Sequence, residues 1–276
     1  EGVPTLPKAE ILDYDELTRL VRSFVAAGVR KVRITGGEPL LRKELWRFVE
    51  RLSHLELLKE VALTTNGTFL KSQARDLKSA GLHRVTLSLD TLRKERFQKI
   101  TRRDGLTEVL QGVDAIQDAG FENTKLDVVI MRGVNEDEIV DLLHFAKQNQ
   151  MEARFIEYMD VGNLNGWDME RVVPASEIVE HIGHEMPLEP IIKGYRGEVA
   201  DRYRYIDGQS EIGVISSVTK PFCGDCTRVR LSADGHLYTC LFASQGLNLL
   251  TPMREGASDD DLLELIESCW MTRDDR

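Results

Sequence analysis

Over residues 1–157 the chain alternates between short β-branched runs and longer stretches with apolar residues at helical spacing. The β-branched runs predict strands at Lys31–Thr35, Glu60–Thr64, Arg84–Ser88, Lys125–Ile130 and Ala153–Glu157. The helical spacing predicts helices near residues 42–55, 70–80, 94–101 and 106–119, and further ones at 176–182 and 259–269. Repeated strand–helix units predict a parallel sheet with right-handed crossovers, either a barrel or an open doubly wound sheet.

Two more helices are expected from their starting residues. Asp13 with Glu16 three positions later has the pattern of a capping box, and Gly28 is a typical end for the helix that follows. Asn135 with Glu138 has the same spacing and predicts a second capped helix.

The pattern changes after residue 157. Residues 160–210 show no clear periodicity, and a strand is expected at Ile212–Ser217. We therefore expect residues 1–157 to form a barrel core and residues 158–276 to form an extension packed on it.

Composition places the chain among soluble globular proteins, since 42% of its 276 residues are hydrophobic and 30% are charged. The net charge of −10 argues against general binding to nucleic acids or anionic membranes. An anionic substrate would therefore need a few bases gathered in one place. We expect neither a membrane span nor a signal peptide, and we expect a cytoplasmic location.

Polar residues follow three of the predicted strands, at positions 35–39, 64–67 and 88–90. Because the carboxyl ends of parallel strands meet at one edge of a sheet, these residues are candidates for a binding site. Glycine, asparagine, aspartate and serine also favour ordinary turns, so each loop taken singly favours a merely structural role.

Three of the four cysteines, Cys223, Cys226 and Cys240, form a C-x2-C-x13-C pattern. Thiolates at this spacing suit a metal centre in a reducing compartment, either structural zinc or an iron–sulfur cluster with one open iron position. Zinc would need a fourth ligand, for which Cys269 and His236 are the candidates, and Cys269 also fits an apolar helix stripe. A redox thiol pair is less favoured because no thioredoxin-like unit follows.

Arg228 and Arg230 come directly after this cysteine pair, and we expect them to alternate on one face of a strand that starts after Cys226. Guanidinium groups pair well with phosphate oxygens. Two such groups beside a metal motif favour a phosphorylated ligand over a solvated edge strand.

The segments Lys31–Arg42 and Cys223–Leu241 together resemble the GTP 3′,8-cyclase family of the radical S-adenosylmethionine superfamily. The likeness continues, in order and spacing, through Gly2–Pro7, Thr64–Gly67, Val85–Thr91, Lys125–Asn135 and Phe155–Asp160. The Gly-Gly-Glu-Pro run alone would indicate only the superfamily, whereas the cysteine pattern with its Arg-x-Arg selects this member.

The resemblance implies an α/β fold, an incomplete (β/α)6 TIM-like barrel with a C-terminal iron–sulfur extension. It implies conversion of GTP to 3′,8-cyclo-7,8-dihydro-GTP in molybdenum cofactor biosynthesis. The implied cofactors are S-adenosylmethionine, an N-terminal 4Fe-4S cluster that generates a 5′-deoxyadenosyl radical, and an auxiliary C-terminal 4Fe-4S cluster. The implied partners are GTP, an electron donor and a synthase that makes cyclic pyranopterin monophosphate; the oligomeric state stays open, with a homodimer among the options.

The resemblance also assigns residues. It implies that the auxiliary cluster is held by Cys223, Cys226 and Cys240. It implies that GTP is bound by Arg33, Thr64 (or the adjacent Thr65), Lys125, Arg228, Val229 and Arg230. It implies that S-adenosylmethionine is bound by Gly37, Ser88 and Met159, although Met159 would otherwise be taken for core filler.

One family motif, the C-x3-C-x-Y-C that holds the first cluster, does not occur in this sequence. We expect that the chain starts just after that motif, without the first barrel strand, and stops before the family's Gly-Gly tail. Such a chain should bind GTP and the auxiliary cluster without turnover. A naturally shortened pseudoenzyme, another radical enzyme with an auxiliary cluster, and a non-catalytic nucleotide-binding barrel with structural zinc are the alternatives.

Overall fold

A computed structural model describes residues 6–160, 166–195, 197–208 and 210–273. Residues 2–5 of the Gly2–Pro7 stretch, on which part of the resemblance depends, lie outside the described residues. Two sheets with helices packed around them make up the described structure.

The helices are α1 (Tyr14–Ala26), α2 (Leu45–Ser53), α3 (Leu70–Ser79), α4 (Lys94–Thr101), α5 (Leu106–Asp118), α6 (Ile139–Gln148), α7 (Ala175–Glu185), α8 (Leu250–Arg254) and α9 (Asp259–Met271). The strands are β1 (Lys31–Ile34), β2 (Glu60–Thr65), β3 (Arg84–Ser88), β4 (Lys125–Ile130), β5 (Glu152–Glu157), β6 (Leu188–Ile191), β7 (Asp201–Tyr205), β8 (Glu211–Ile215), β9 (Arg230–Leu231), β10 (His236–Tyr238) and β11 (Leu247–Asn248).

The main sheet has eight strands in the order β1-β2-β3-β4-β5-β8-β7-β6. Neighbouring strands from β1 to β5 pair in parallel, and β5 pairs in parallel with β8. The last two strands, β7 and β6, are antiparallel additions at one edge. This mostly parallel sheet with crossover helices confirms the predicted α/β fold of the incomplete TIM-like barrel type.

Alternate side chains of the central strands point to opposite faces of the sheet. In β4, Leu126, Val128 and Ile130 are buried in the main core, while Lys125 and Asp127 point the other way. The main core therefore lies between the sheet and the helices that connect its strands, with α3 and α5 packed against each other.

A second core joins the beginning and the end of the chain. It contains Leu20 and Phe24 of α1 together with Leu237 of β10 and Leu262 and Ile266 of α9. The three-stranded sheet β11-β10-β9 lies in this region, so α1 fixes the C-terminal segment against the rest of the molecule.

The capping box predicted at the start of α1 is confirmed. The Asp13 carboxylate accepts a hydrogen bond from the backbone of Glu16, and the Glu16 side chain accepts one from the backbone of Asp13. The helix ends just before Gly28, whose φ of 104° suits a residue without a Cβ atom.

The second predicted capping box is wrong. Asn135 accepts a hydrogen bond from Met131 N and donates to the carbonyls of Asp90 and Val129, so it ties down a turn instead of capping a helix. Glu138 is fully buried and bonds to Thr91 and to the backbone of Leu92. Both side chains form hydrogen bonds to residues outside the helix, so neither caps it, and α6 begins at Ile139.

The region from 160 to 210 has more regular structure than its sequence pattern predicted. Besides α7, it forms the hairpin of β6 and β7. These strands lie at the edge of the main sheet and are only partly buried, which explains why their apolar alternation is weak. None of the helices in the described ranges is long and apolar enough to cross a membrane.

Gly112 and Gly183 allow a matched test of helix packing. A Cβ atom on Gly112, in α5, would lie 2.6 Å from the carbonyl oxygen of Gly67 and 3.2 Å from Leu70 Cβ, whereas a Cβ on Gly183, in α7, meets nothing within 4 Å. We expect Gly112→Ala to lower the free energy of unfolding by about 1–3 kcal/mol because α3 and α5 must separate. We expect Gly183→Ala to raise it by up to about 1 kcal/mol through helix propensity. Urea unfolding would measure both, and an unchanged midpoint in Gly112→Ala would contradict the close packing of α5.

Candidate functional site

The face of the main sheet opposite the helices carries charged and hydroxyl side chains, and we call it the polar face. Its register places Thr86, Lys125 and Glu152 in one row across β3, β4 and β5. The next row contains Ser88, Asp127 and Arg154. The polar face is formed by Glu60, Thr64, Arg84, Thr86, Ser88, Lys125, Asp127, Glu152 and Arg154.

Two glutamates pair with most of the bases on this face. Glu60 forms ion pairs with Arg84 and, at 3.0 Å, with Lys31. Burial alone would raise the pKa of Glu60, but the hydrogen bonds and charges of Arg84 and Lys31 lower it to about 2. Glu152 pairs with Lys125 and, at 2.8 Å, with Arg154.

Lys125 and Asp127 have perturbed acidities. Burial, together with the nearby Arg154, lowers the pKa of Lys125 to about 8 despite its pairing with Glu152. Burial raises the pKa of Asp127, although Arg154, Arg33 and Lys125 act in the opposite direction. Asp127 Oδ1 is buried and has no hydrogen-bond partner in the described part of the chain.

Arg33 of β1 differs from these paired bases. Its Nη1 atom lies 3.4 Å from Thr64 Oγ1, which brings together two residues that the family resemblance assigns to GTP. Among the residues described, no carboxylate lies within 4 Å of its guanidinium nitrogens. Arg33 is exposed, so its charge is open to a ligand.

The loops at the carboxyl ends of β1 and β2 are held together by Glu38. Its carboxylate accepts hydrogen bonds from Thr65 Oγ1 at 2.7 Å, from Asn66 N at 2.8 Å and from Leu40 N at 2.9 Å. Thr65 is therefore engaged with Glu38, which leaves Thr64 as the threonine near Arg33.

The three residues assigned to S-adenosylmethionine lie at or after the carboxyl ends of β1, β3 and β5. Gly37 is exposed, and a Cβ atom there would meet nothing within 4 Å. Ser88 ends β3 and borders a cavity of about 130 Å³ that Asn66 and Asp90 also line. Met159 lies two residues after β5 and is partly buried.

We call residues 223–240 the cysteine segment, since they contain Cys223, Cys226 and Cys240. The segment begins with a turn of 3₁₀-helix at Cys223–Asp225, in which Cys226 N donates to the Cys223 carbonyl at 3.1 Å. Arg273 donates to the Cys226 carbonyl at 2.6 Å and so joins the residues after α9 to this turn. Cys240 lies after β10 and accepts a hydrogen bond from the backbone of Phe242.

Arg228 and Arg230 lie close to the cysteines but differ in environment. Arg228 Nε lies 3.3 Å from Cys226 Sγ, and its guanidinium lies 5.0 Å from the centre of the Phe222 ring. Burial raises the pKa of the Cys226 thiol, but the hydrogen bonds and charge of Arg228 outweigh this and lower it. Burial and Arg228 lower the pKa of Arg230, while Cys226 and Cys240 oppose that shift.

The single strand predicted to start after Cys226 is wrong in its bounds. Strand β9 contains only Arg230 and Leu231, and Arg228 precedes it. The Arg228 side chain instead contacts the Cys226 thiol and the Phe222 ring, which explains why the strand pairing of β9 starts only at Arg230. Nη1 of Arg230 is buried and lacks a hydrogen-bond partner among residues that the structure describes.

Within the described ranges, no group of three or more Cys, His, Asp or Glu side chains is arranged to hold a metal ion. The charges of the Cys226 and Cys240 thiolates would each raise the pKa of Arg230, so both side chains lie near it. Cys223 is exposed. Two soft thiol donors near a guanidinium N–H that has no hydrogen-bond partner among the described residues, with a third thiol on the same segment, fit an anionic iron–sulfur group in their chemistry. The convergence of the three sulfur atoms stays a prediction.

Sequence reasoning missed five charged residues of the polar face, namely Glu60, Arg84, Asp127, Glu152 and Arg154. The signal was present in β4 and β5, where charged residues alternate with residues of the main core. Burying a charged side chain in a central strand of a parallel sheet costs free energy unless the charge is paired with an opposite charge or binds a ligand.

Two family models match the chain. The Radical SAM superfamily model matches residues 2–146, and the Molybdenum Cofactor Synthesis C model matches residues 151–276.

Curated relatives match nearly the whole chain. A GTP 3′,8-cyclase of Acidothermus cellulolyticus is 50% identical over 276 residues, which covers 98% of this chain and 76% of that protein. A GTP 3′,8-cyclase of Staphylococcus saprophyticus is 43% identical over 273 residues, covering 98% of this chain and 80% of that protein.

Solved structures with low sequence identity share the fold. SuiB of Streptococcus suis bound to S-adenosylmethionine matches with a TM-score of 0.63 and 16% identity, covering 97% of this chain and 62% of that chain. Native anSMEcpe with bound AdoMet matches with a TM-score of 0.61 and 15% identity, covering 92% of this chain and 72% of that chain.

The acidity of Lys125 can be measured directly. We expect its side-chain resonance, assigned by its loss in Lys125→Met, to titrate with a midpoint near pH 8. Between about pH 8 and 10.5 the folded state has lost this proton and the unfolded state has kept it, so this group makes stability rise with pH. The rise should not exceed about 1.4 kcal/mol per pH unit and should be absent in Lys125→Met. A titration midpoint at the ordinary lysine value would contradict the burial of this ammonium group.

Proposed function

The chain belongs to the GTP 3′,8-cyclase family, and we propose that it binds GTP with the bases of the polar face and of the cysteine segment. The family is one of radical S-adenosylmethionine enzymes that act in molybdenum cofactor biosynthesis. Its reaction converts GTP to 3′,8-cyclo-7,8-dihydro-GTP.

One observation above all supports the GTP assignment. Arg33, Arg228 and Arg230 have no carboxylate within 4 Å among the residues described, whereas Arg84 and Arg154 are paired with glutamates. In a protein of net charge −10, guanidiniums left without carboxylates are the groups most available to phosphate oxygens. We propose that these three arginines bind the polyphosphate.

Thr64, Lys125 and Val229 complete the proposed GTP site. The hydroxyl of Thr64 lies beside Arg33 and can donate to a phosphate or ribose oxygen. Lys125 would have to exchange its pairing with Glu152 for one with the nucleotide, and a polyanion would raise its pKa again. Val229 lies between the two arginines and offers its backbone.

We propose that Gly37, Ser88 and Met159 bind S-adenosylmethionine. The bare backbone at Gly37 would admit the amino and carboxylate groups of its methionine part, and the Ser88 hydroxyl is exposed at a strand end. Met159 offers a flexible apolar contact.

The family implies 4Fe-4S clusters and S-adenosylmethionine. We propose that Cys223, Cys226 and Cys240 hold the auxiliary cluster, with Nε of Arg228 3.3 Å from Sγ of Cys226. When bound, the clusters and S-adenosylmethionine supply the radical chemistry of the family. The residues of this chain supply the orientation and charge balance that bring the nucleotide to it.

The wider setting is also a proposal. We propose that residues 1–157 act as the barrel core and residues 158–276 as the extension that carries the auxiliary cluster. We propose that the protein acts in the cytoplasm, takes electrons from a separate donor and passes its product to a synthase that makes cyclic pyranopterin monophosphate.

Arginine variants test the phosphate assignment. We expect Arg228→Ala and Arg230→Ala each to weaken GTP binding by about 10- to 100-fold, because a hydrogen bond to a charged group is lost. Isothermal titration calorimetry would measure the affinity. Arg51→Ala is the control, since Arg51 pairs with Asp15 on the outside of α2. Equal GTP affinity in all three variants and the unaltered protein would rule out the phosphate role.

Cysteine variants test the auxiliary cluster. After anaerobic reconstitution we expect about four irons and four sulfides per chain. Cys240→Ala should lose them, whereas Cys269→Ala should keep them because Cys269 packs against the second core. Uptake of one zinc without sulfide, with unfolding of Cys240→Ala, would instead support structural zinc.

A further inference from the structure

Glu157, the last residue of β5, is a fully buried carboxylate, and it forms no ion pair with a basic side chain in the part of the chain that the structure describes. Its Oε1 accepts hydrogen bonds from Ala175 N at 2.7 Å and from the Thr219 hydroxyl. Its Oε2 accepts from Val218 N and Thr219 N, both at 2.8 Å. Three backbone amides and one hydroxyl thus hold this carboxylate.

Such an arrangement constrains the backbone around it. A buried carboxylate is tolerated only when its oxygen atoms are hydrogen-bonded. The donors come from two places in the chain, the first residue of α7 and the segment after β8. Both must keep their position relative to β5 for the carboxylate to stay satisfied.

The position of Glu157 gives this constraint a functional meaning. Met159, proposed to bind S-adenosylmethionine, follows two residues later. Thr219 precedes Cys223 by four residues, and Ser217 also donates to the Glu157 carbonyl at 3.1 Å. One side chain therefore joins the carboxyl end of β5 to the start of the cysteine segment.

We propose that Glu157 is a positioning residue that sets the cysteine segment, with Arg228 and Arg230, against the end of β5 that carries Met159. This inference rests on the proposed function, since it concerns how the two parts of that site are aligned. Only a glutamate side chain meets the requirement. A glutamine would turn an NH₂ group toward at least one of the amide donors, and an aspartate is one methylene shorter.

Glu138 provides a matched control. It is also fully buried, accepts hydrogen bonds from Thr91 Oγ1 at 2.6 Å and Leu92 N at 2.9 Å, and pairs with Arg96. It joins the loop after β3 to the turn before α6 and touches no residue of the cysteine segment in the contacts described. Loss of its charge should lower stability without moving Arg228 or Arg230.

The experiment compares Glu157→Gln with Glu138→Gln in the reconstituted protein. Hydrogen exchange should show faster exchange at Val218, Thr219 and Ala175 in Glu157→Gln, with α3 and α5 unchanged. GTP affinity, measured by calorimetry, should fall by about tenfold or more in Glu157→Gln. In Glu138→Gln it should stay within about twofold at the same fraction folded.

The readouts separate this inference from the proposed function. If the unaltered protein binds GTP and Glu157→Gln binds it equally well, the positioning role is wrong. If the unaltered protein does not bind GTP, the proposed function fails, and unchanged exchange at Val218 and Thr219 would then overturn the inference by itself. Should Glu157→Gln not fold, Thr219→Val removes one donor and keeps the charge. Thr219→Val should also speed exchange at Val218 and Ala175 and weaken GTP binding, each by less than Glu157→Gln would. If neither exchange nor GTP affinity changes, the proposal is wrong.

Discussion

The alternation of apolar and charged side chains along the central strands is the constraint on which the rest of the structure depends. Leu126 and Val128 must face the helices because burying them stabilises the main core. With a side-chain period of two, that choice directs Lys125 and Asp127 to the opposite face. The same geometry repeats in β5 with Arg154, so the charges of the polar face are gathered by the packing of the core.

Charge balance divides the bases of the molecule into two kinds. Lys125, Arg84 and Arg154 are neutralised by glutamates on the same face, which lets them remain partly buried without a ligand. Arg228 and Arg230 have thiols and an aromatic ring as neighbours instead. An anion arriving at the first kind must compete with a carboxylate, whereas one arriving at the second meets a charge that is not yet compensated.

Much of the fold followed from local sequence signals. The central strands are short β-branched runs with clear boundaries, and the helix from Asp13 to Gly28 has signals at both ends, so periodicity and capping predicted them. Asn135 and Glu138 carried an equally good capping signal, yet distant residues bind their side chains. A local pattern cannot reveal such long-range partners.

The site was predictable to a different degree. The resemblance pointed to Arg33 and Thr64, which the structure brings to 3.4 Å, and to the cysteine segment. It assigned no role to Glu157, because a buried glutamate at a strand end has no periodic signature, and three of its four donors are backbone amides that any residue type except proline could supply. Roles that depend on main-chain groups leave almost no trace in a single sequence.

Helix α1 has two apolar sides, and this has a consequence for how the chain can be divided. Val21 and Val25 belong to the main core, while Leu20 and Phe24 belong to the second core with the C-terminal elements. Removing the cysteine-bearing half would leave one side of α1 bare to water and prone to self-association. The regions matched by the two family models therefore depend on each other through this helix, because each region covers one of its apolar sides.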